Sequence, residues 1–296
     1  MKDTKMLNFI KDTLINMPSS WLNLTTHRLD IFDEKLAKTQ FLEKFEILFN
    51  NNNSESLAIS ELPTAYDYIR LGHPLSCLLE WVIAKINNIK PKNVISFSSK
   101  TIPILAILRK NLLANKSTQI VFTDELPKFI DFKVLKNIYG YKFDLKKVEK
   151  VEDISAFNGS TVFISQQDEI SNIPLKLDID FFINFHSQFG SILLVNGEKN
   201  ESYISEIQHV RRRETISMTP VNCLANLNSI INKSTFENNK NNTVSDKKLV
   251  LESIADITGT NTKAVVGSSG LSIQYAIMMG LIHDALENHK GKAIRF

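Results

Sequence analysis

Apolar residues recur at two different spacings along the chain, and the spacing predicts which element each stretch forms. Four short runs are apolar almost throughout and predict strands: Val94–Phe97, Gln119–Phe122, Thr161–Ile164 and Ser191–Val195. The longer stretches between them predict helices: Ile102–Leu113, Lys128–Ile138 and Asp178–Phe189. Continuous apolar strands are typical of sheets buried on both faces. The alternation therefore predicts an α/β domain with a mainly parallel sheet flanked by helices.

The flanking regions differ in composition. Helical spacing at 5–16 and 33–49 predicts an N-terminal helical extension, and the polar run Asn50–Ser54 ends it. Pro74 opens a further helix, where its missing N–H costs nothing. His209–Met218 predicts another strand and Pro220–Ile231 another helix. A second polar run lies at 238–242. We therefore divide the chain into an extension (1–54), an α/β domain (55–236), an Asn-rich linker (237–248) and a second unit (249–296).

The second unit repeats a pattern of the first. Val265-Val266 precedes Ser268-Ser269 and a helical stretch to about Asn288, as Val94–Phe97 precedes Ser98-Ser99 and its helix. The pairs Ala106-Ile107 and Ala276-Ile277 stand at equal distances from these serines, and each unit is preceded by a Leu-Glu pair. Repeats of this kind indicate an internal duplication. We expect the second copy to be cut off at Phe296, inside what would be its next strand.

Composition and charge exclude several classes of function. The chain has 296 residues, a net charge of +3 and two cysteines, Cys77 and Cys223, without a spacing motif. So small a charge does not favour nucleic-acid binding, and the basic cluster 211–213 is better explained by carboxylate partners or solvation. No apolar run is long enough to span a membrane, and no signal peptide is expected, so we predict a cytoplasmic protein. His73, His186 and His209 lack ligand spacing, and no metal site is expected.

The two Ser-Ser turns are the first candidates for chemistry. A turn of small residues at the start of a helix exposes backbone N–H groups at its positive end, which suits a phosphate. Gly270 would permit close approach in the second copy, whereas Lys100 holds that position in the first. The alternative is that the serines only cap the helices and bind no ligand.

A longer set of residues resembles a known family. Tyr68-Ile69-Arg70-Leu71-Gly72-His73-Pro74, the Leu79-Glu80 helix and the strand leading to Ser98-Ser99 resemble the pattern Y-x-R-x-x-N-P-T, a Leu-Glu helix, and a strand ending in S-G-M. This pattern belongs to the pyridoxal-phosphate enzymes of the transsulfuration family, which includes cystathionine γ-synthase, cystathionine lyases and methionine γ-lyase. The resemblance covers about 62–200, and 249–296 more closely. It implies the large-domain fold of fold-type-I pyridoxal-phosphate transferases, with the first copy degenerate.

The resemblance also implies binding residues for pyridoxal phosphate. In the family the Tyr and Arg of Y-x-R reach the phosphate held by a neighbouring subunit, and Tyr68 and Arg70 match them. The serine and backbone of S-G-M bind the same phosphate. The corresponding residues here are Ser268, Ser269, Gly270 and Leu271, while Ser99 matches in part.

The catalytic residues of the family do not carry over. Asn196 stands where the resemblance places the Asp that pairs with the pyridine nitrogen, and only a carboxylate keeps that nitrogen protonated. The region matched to the Schiff-base lysine, Ser205–Met218, has no lysine. The resemblance thus implies the N-terminal portion of a lyase or transferase acting on a sulfur amino acid. Without the lysine, we expect no catalytic residue and no activity in this chain alone.

Two alternatives remain from the sequence. The first copy could be a non-catalytic structural or dimerisation module, or, less well supported, a phosphosugar-binding α/β domain. In the complete protein we expect an amino-acid substrate, no nucleic acid, no membrane, and either a homo-oligomer or an internal pseudo-dimer. In that pseudo-dimer Tyr68 and Arg70 would reach a phosphate held at Ser269-Gly270-Leu271.

Overall fold

A computed structural model describes residues 2–24, 34–64, 68–169, 173, 176–232, 243–259 and 264–291. The chain divides into two compact units, Met1–Phe236 and Glu237–Phe296. The polar run 238–242 lies outside the described residues. None of the described helices combines the length and apolarity needed to cross a lipid bilayer.

The first unit opens with helices and continues as an α/β fold. Its N-terminal helices are α1 (Lys2–Asn16), α2 (Glu34–Asn50), α3 (Ser56–Ser60) and α4 (Pro74–Ile86). The strands are β1 (Val94–Phe97), β2 (Thr118–Phe122), β3 (Asp144–Lys147), β4 (Ser160–Ser165), β5 (Phe181–His186) and β6 (Gly190–Val195). The later helices are α5 (Ile102–Leu113), α6 (Phe132–Asn137), α7 (Glu201–Glu214) and α8 (Pro220–Asn232).

The six strands form one sheet in the order β1-β6-β5-β4-β2-β3. Strands β2, β3, β4 and β5 are parallel, and β6 runs antiparallel to both of its neighbours, β5 and β1. Strand β1 therefore points the same way as the parallel strands. The predicted α/β class, with a mainly parallel sheet flanked by helices and helices at the N-terminus, is confirmed.

Alternate residues of the strands face two separate cores. Val94, Val121 and Phe182 belong to a core with helices α1, α2, α4 and α8, while Ile95 and Ile120 belong to a core on the other face with α5 and α7. The sheet is therefore covered on both faces, as its continuous apolar strands predict. The N-terminal helices are an integral layer, because Phe9, Phe41 and Phe45 belong to the first core.

Two predicted elements of the first unit were wrong. Residues 178–189 were expected to form a helix, but they contain β5 and the turn that leads into β6. All six residues of β5 are buried, which aromatic and β-branched residues achieve in a central strand. Residues 209–218 were expected to form a strand, but they contain the end of α7. Tyr203, Ile204 and Ile207 give α7 its buried face, and the neighbouring charged residues obscured that spacing.

The second unit contains two described helices, α9 (Thr243–Thr258) and α10 (Gly270–Asn288). Val265-Val266 was expected to be a strand, but no strand is formed there. Only Ala285 of α10 is buried, and Ile277 is 53% exposed, whereas its repeat counterpart Ile107 is fully buried in the first unit. A strand needs neighbours to satisfy its backbone groups, and the described part of this unit supplies none.

Candidate functional site

Tyr68 and Arg70 lie in a tight turn before α4. The Tyr68 carbonyl accepts hydrogen bonds from the N–H groups of Leu71 at 2.7 Å and Gly72 at 3.0 Å, and Tyr68 N–H donates to the Gly72 carbonyl at 3.2 Å. Gly72 has a φ of 137°, a value that few residues other than glycine adopt. The backbone of this turn therefore fixes where Tyr68 and Arg70 project.

The Arg70 guanidinium binds the end of α7. Its Nη1 donates to the carbonyls of Arg212 at 3.2 Å and Arg213 at 3.4 Å. These carbonyls belong to the last turn of a helix, where a positive charge also stabilises the helix dipole. The structure thus gives Arg70 an anchoring role within the first unit.

Ser99 fulfils a capping role at the start of α5. Its hydroxyl oxygen accepts from the N–H groups of Thr101 and Ile102, both at 3.2 Å. These are amides that a phosphate at this helix end would use. These two contacts agree with a capping role for Ser99, while the binding of a ligand at this turn stays a prediction.

Ser217 joins the two candidate turns of the first unit. Its N–H and hydroxyl donate to the Ile69 carbonyl at 2.9 and 2.8 Å. Its own carbonyl accepts from the Ser98 hydroxyl at 2.7 Å, and Ser98 N–H donates to the Ile216 carbonyl at 3.2 Å. The structure therefore brings the Tyr68–Arg70 turn and the Ser98-Ser99 turn together, next to the carboxyl edge of the sheet.

The second Ser-Ser turn caps α10 in the second unit. The Ser269 hydroxyl accepts from Ser272 N–H at 3.1 Å, and the Ser272 hydroxyl accepts from Ser269 N–H at the same distance, which forms a capping box. Ser268 lies 3.4 Å from the Ser272 hydroxyl. Gly270 is the first residue of α10, and an added Cβ there would meet nothing within 4 Å. Leu271 is 45% exposed.

A polar cluster that the sequence did not indicate lies where β4 and β5 end. Lys100 Nζ donates to the Ser187 carbonyl at 2.6 Å and lies 5.4 Å from the centre of the Phe129 ring. Asp168 accepts from Ser187 N–H at 2.8 Å and lies 3.5 Å from His186 Nδ1. The carboxyl edge of an open α/β sheet is where such folds usually bind ligands. Lys100 is thus a lysine at this edge, supplied by the loop after β1.

The protonation of this cluster follows from burial and from its contacts. Burial lowers the pKa of the Lys100 ammonium, although the Asp168 carboxylate opposes the shift. Burial acts to raise the pKa of Asp168, but the hydrogen bonds from Ser187 together with the nearby His186 and Lys100 outweigh it, and the pKa falls. Burial also lowers the pKa of His186, whose Nδ1 accepts from the N–H of Gln188 at 3.1 Å. At neutral pH the cluster therefore holds a neutral His186 imidazole beside the Asp168 carboxylate.

Asn196 lies at the opposite edge of the sheet from the Ser98-Ser99 turn. Strand β6 is antiparallel, so its last residue, Val195, lies beside Phe181, the first residue of β5. The Asn196 side chain donates to the carbonyls of Lys176 and Ile179, both at 2.7 Å. The match of Asn196 to the family's cofactor-binding Asp was therefore wrong, because sequence order did not reveal the direction of β6.

The region matched to the Schiff-base lysine was also misplaced. Residues 205–214 lie within α7 rather than after a strand of the sheet. The residues that do follow β5 at the carboxyl edge are Ser187-Gln188-Phe189, and this run has no lysine. Among the described histidines, cysteines, aspartates and glutamates, no group of three is arranged to hold a metal ion.

A buried ionic cluster surrounds Glu80, whose side chain is 1% exposed. Its Oε1 accepts from Ser96 N–H and the Ser96 hydroxyl, both at 2.8 Å, and from Arg211 Nη1 at 3.2 Å. Lys38 of α2 donates to its Oε2. Burial acts to raise the pKa of Glu80, but the charges of Lys38 and Arg211 outweigh it, so the pKa is lowered. The sequence signal was a glutamate within the apolar stripe of α4, a position that requires a partner.

His73 lies near this cluster and caps the start of α4. Its Nδ1 accepts from Ser76 N–H at 3.2 Å, and its Nε2 lies 2.7 Å from the Met218 carbonyl. The Ser76 hydroxyl accepts from His73 N–H at 3.0 Å, which completes a capping box. Burial lowers the pKa of His73 to about 4. The neutral ring with its proton on Nε2 is the form that satisfies both contacts.

Comparison with known proteins yields similarities of fold alone. No family model and no curated protein matches the chain. Among solved structures, metB from Corynebacterium glutamicum is similar at 14% identity and a TM-score of 0.41, over 70% of this chain and 61% of that one. Cystathionine gamma synthase from Xanthomonas oryzae pv. oryzae, solved with cystathionine, is similar at 13% identity and a TM-score of 0.39, over 69% and 61%. Cystathionine gamma-lyase from Lactobacillus plantarum, complexed with L-serine, is similar at 12% identity and a TM-score of 0.39. The similarity covers 63% of this chain and 58% of that one. The chain thus spans about three fifths of these proteins' length.

Proposed function

We propose that the chain is the N-terminal portion of a pyridoxal-phosphate-dependent lyase or transferase of the transsulfuration type, and that its first unit is a non-catalytic structural domain. The residues of the Tyr68–Pro74 run and the Leu79-Glu80 helix carry the resemblance to this family. A mainly parallel sheet with helices on both faces is compatible with it. The proposal includes that the complete protein acts on a sulfur amino acid. It also includes that the complete protein assembles as a homo-oligomer or as an internal pseudo-dimer.

One observation carries the non-catalytic assignment of the first unit. The backbone N–H groups at the start of α5 already bind the Ser99 hydroxyl, so a phosphate there would have to displace a cap formed by the chain itself. The run after β5 offers no lysine to form an imine. A cofactor of this class supplies the electron sink, and the protein has to supply its anchor and its reactive amine. The lack of a lysine in the run after β5 is the observation that carries the assignment, because the Ser99 cap could be exchanged for phosphate oxygens, as is proposed below for the Ser269 cap of α10.

In the second unit, Ser268, Ser269, Gly270 and Leu271 remain the proposed phosphate-binding residues. Leu271 is exposed, and an added Cβ at Gly270 would meet nothing within 4 Å, so this helix start has room for a ligand. The Ser269 cap would have to be exchanged for phosphate oxygens. The contribution of Tyr68 and Arg70 to such a phosphate, through a pseudo-dimer or a homo-oligomer, stays a prediction. Cys77 and Cys223 are both buried and are not joined by a disulfide, and a cytoplasmic location stays a prediction.

The experiment that tests this assignment is directed at Lys100. This lysine lies at the carboxyl edge of the sheet, where a bound cofactor would need an amine. The full chain is incubated with pyridoxal phosphate, reduced with borohydride and digested, and the labelled lysines are identified by mass spectrometry. The matched variant is Lys100→Arg, which keeps the positive charge but cannot form an imine. We expect scattered labelling of exposed lysines, no stable absorbance band in the visible range, and the same labelling pattern in both proteins.

Stoichiometric labelling of Lys100 with a visible absorbance band that is lost in Lys100→Arg would contradict the non-catalytic assignment. The phosphate site is tested separately by hydrogen exchange of the backbone amides of Ser268–Leu271. If pyridoxal phosphate does not slow their exchange, the proposed phosphate site is contradicted. The two parts of the proposal can thus fail independently.

A further inference from the structure

The ammonium group of Lys38 lies in a nearly closed set of oxygen acceptors. It donates to Glu80 Oε2, to the Pro91 carbonyl at 3.0 Å and to the Val94 carbonyl at 3.2 Å. An ammonium group has three N–H donors and no acceptor. The three acceptors around Lys38 therefore satisfy it completely, with its side chain 15% exposed.

The acceptors are held in place by groups other than Lys38. Ser96 and Arg211 occupy Glu80 Oε1, so Oε2 is left to receive a further donor. Pro91 begins a short 3₁₀ turn that ends where β1 begins, and Val94 is paired with Leu194 in the sheet. The arrangement of the two carbonyls and the carboxylate oxygen is thus a property of the α/β fold, while α2 provides the group that fills it.

The chemistry of this set of acceptors selects one class of ligand. A carboxylate and two carbonyls repel anions and offer no hydrogen-bond donor to a neutral acceptor. A primary ammonium can donate to all three, whereas a quaternary ammonium carries the same charge but has no N–H group. A cleft of about 340 Å³ beside Lys38, lined also by Leu42 and Trp81, provides room for an attached alkyl chain.

We propose that Glu80 Oε2 and the carbonyls of Pro91 and Val94 form a binding site for a primary ammonium ion, which the chain fills with its own Lys38. Helix α2 is thereby docked as an internal ligand of the α/β domain. If Lys38 is shortened, the site is left with its acceptors in place and accepts an external alkylammonium of matching length. This inference concerns the first unit alone and does not depend on pyridoxal phosphate.

The test is chemical rescue of Lys38→Ala. Truncation to alanine removes three carbons and the ammonium, which n-propylammonium chloride replaces atom for atom. Thermal unfolding of the full chain is followed in n-propylammonium chloride and, as a matched salt, tetramethylammonium chloride. We expect only the propylammonium ion to raise the Tm of Lys38→Ala, by about 3 °C at a tenfold excess over its dissociation constant. The double variant Lys38→Ala/Glu80→Gln is expected to show no selective response.

Equal responses of Lys38→Ala to the two salts, or an equal propylammonium response in the double variant, would overturn the proposal. A second measurement needs no destabilised variant. In wild-type protein labelled with ¹⁵N, the hydrogen-bonded Lys38 ammonium should give a slowly exchanging Nζ resonance, assigned by its loss in Lys38→Arg. The absence of such a resonance would equally contradict a closed ammonium site.

Discussion

The buried His73 makes the stability of the first unit dependent on pH. Its pKa falls from 6.5 to about 4 because burial disfavours the charged ring, and Arg211 adds to this effect while Glu80 and the Met218 carbonyl oppose it. Protonation at Nδ1 would also break the hydrogen bond from Ser76 N–H. Since the folded pKa lies below the unfolded one, the unfolded chain binds the proton first as the pH falls.

The magnitude follows from the size of the shift. Each unit corresponds to about 1.4 kcal/mol, so this side chain should remove about 3 kcal/mol of the free energy of unfolding between pH 7 and pH 4. The stabilisation is fully present above pH 6.5 and is lost as the pH falls from there to about 4. The ring is 1% exposed, so solvent screening does not reduce this value much.

The matched control is His73→Asn, because asparagine can cap a helix but does not titrate. At pH 7 this variant should lose about 1 kcal/mol through the missing contact with Met218. Urea unfolding of both proteins at pH values from 7 to 4 is followed by tryptophan fluorescence. Trp21 and Trp81 are the two tryptophans of the chain, and both are buried in the first unit, so the signal reports this unit.

The prediction concerns the difference between the two proteins, since other carboxylates contribute to acid sensitivity in both. The variant should lose about 3 kcal/mol less than the wild type over this range, so that their stabilities converge and then cross on acidification. Parallel pH profiles would refute the reasoning, because they would show that His73 titrates alike in the folded and unfolded states.

Two further predictions concern backbone constraint and the second unit. Gly190→Ala should cost about 3 kcal/mol or more in urea unfolding, since its φ is 98° and the added Cβ would lie 2.1 Å from the Phe97 carbonyl oxygen. Gly140→Ala, with a φ of 69° but open space around it, should cost only about 1–2 kcal/mol, and equal costs would contradict this explanation. Limited proteolysis should cut first within 238–242 and leave a resistant first unit. The second unit should be degraded, because Ala285 is the one buried residue described in α10. Equal resistance of both units would count against it.

Local patterns in the sequence were sufficient for many elements of the fold. The bounds of β1 and α5 agree with the prediction at both ends. Apolar spacing, with Pro103 near the start of the helix, specifies these elements without reference to the rest of the chain. The helix that opens at Pro74 and the class of the sheet followed from the same kind of evidence.

Strand direction and long-range contacts depended on tertiary structure. A buried aromatic run at 181–186 is compatible with a helix or a strand until its neighbours β4 and β6 are known. The antiparallel direction of β6 places Asn196 at the opposite edge of the sheet from Ser99, which reverses the interpretation drawn from sequence order. Neither fact is encoded in local spacing.

The candidate site shows the same division. The two Ser-Ser turns could be singled out from the sequence because small and capping residues at helix starts have a local physical role, whereas Tyr68 and Arg70 came from the family resemblance and their binding role stays a prediction. Only the fold brought Arg70 to the end of α7, and Lys38 to Glu80 across 42 positions of sequence. Ion pairs between distant positions depend on how helices pack on a sheet, and packing is a property of the whole chain rather than of any segment.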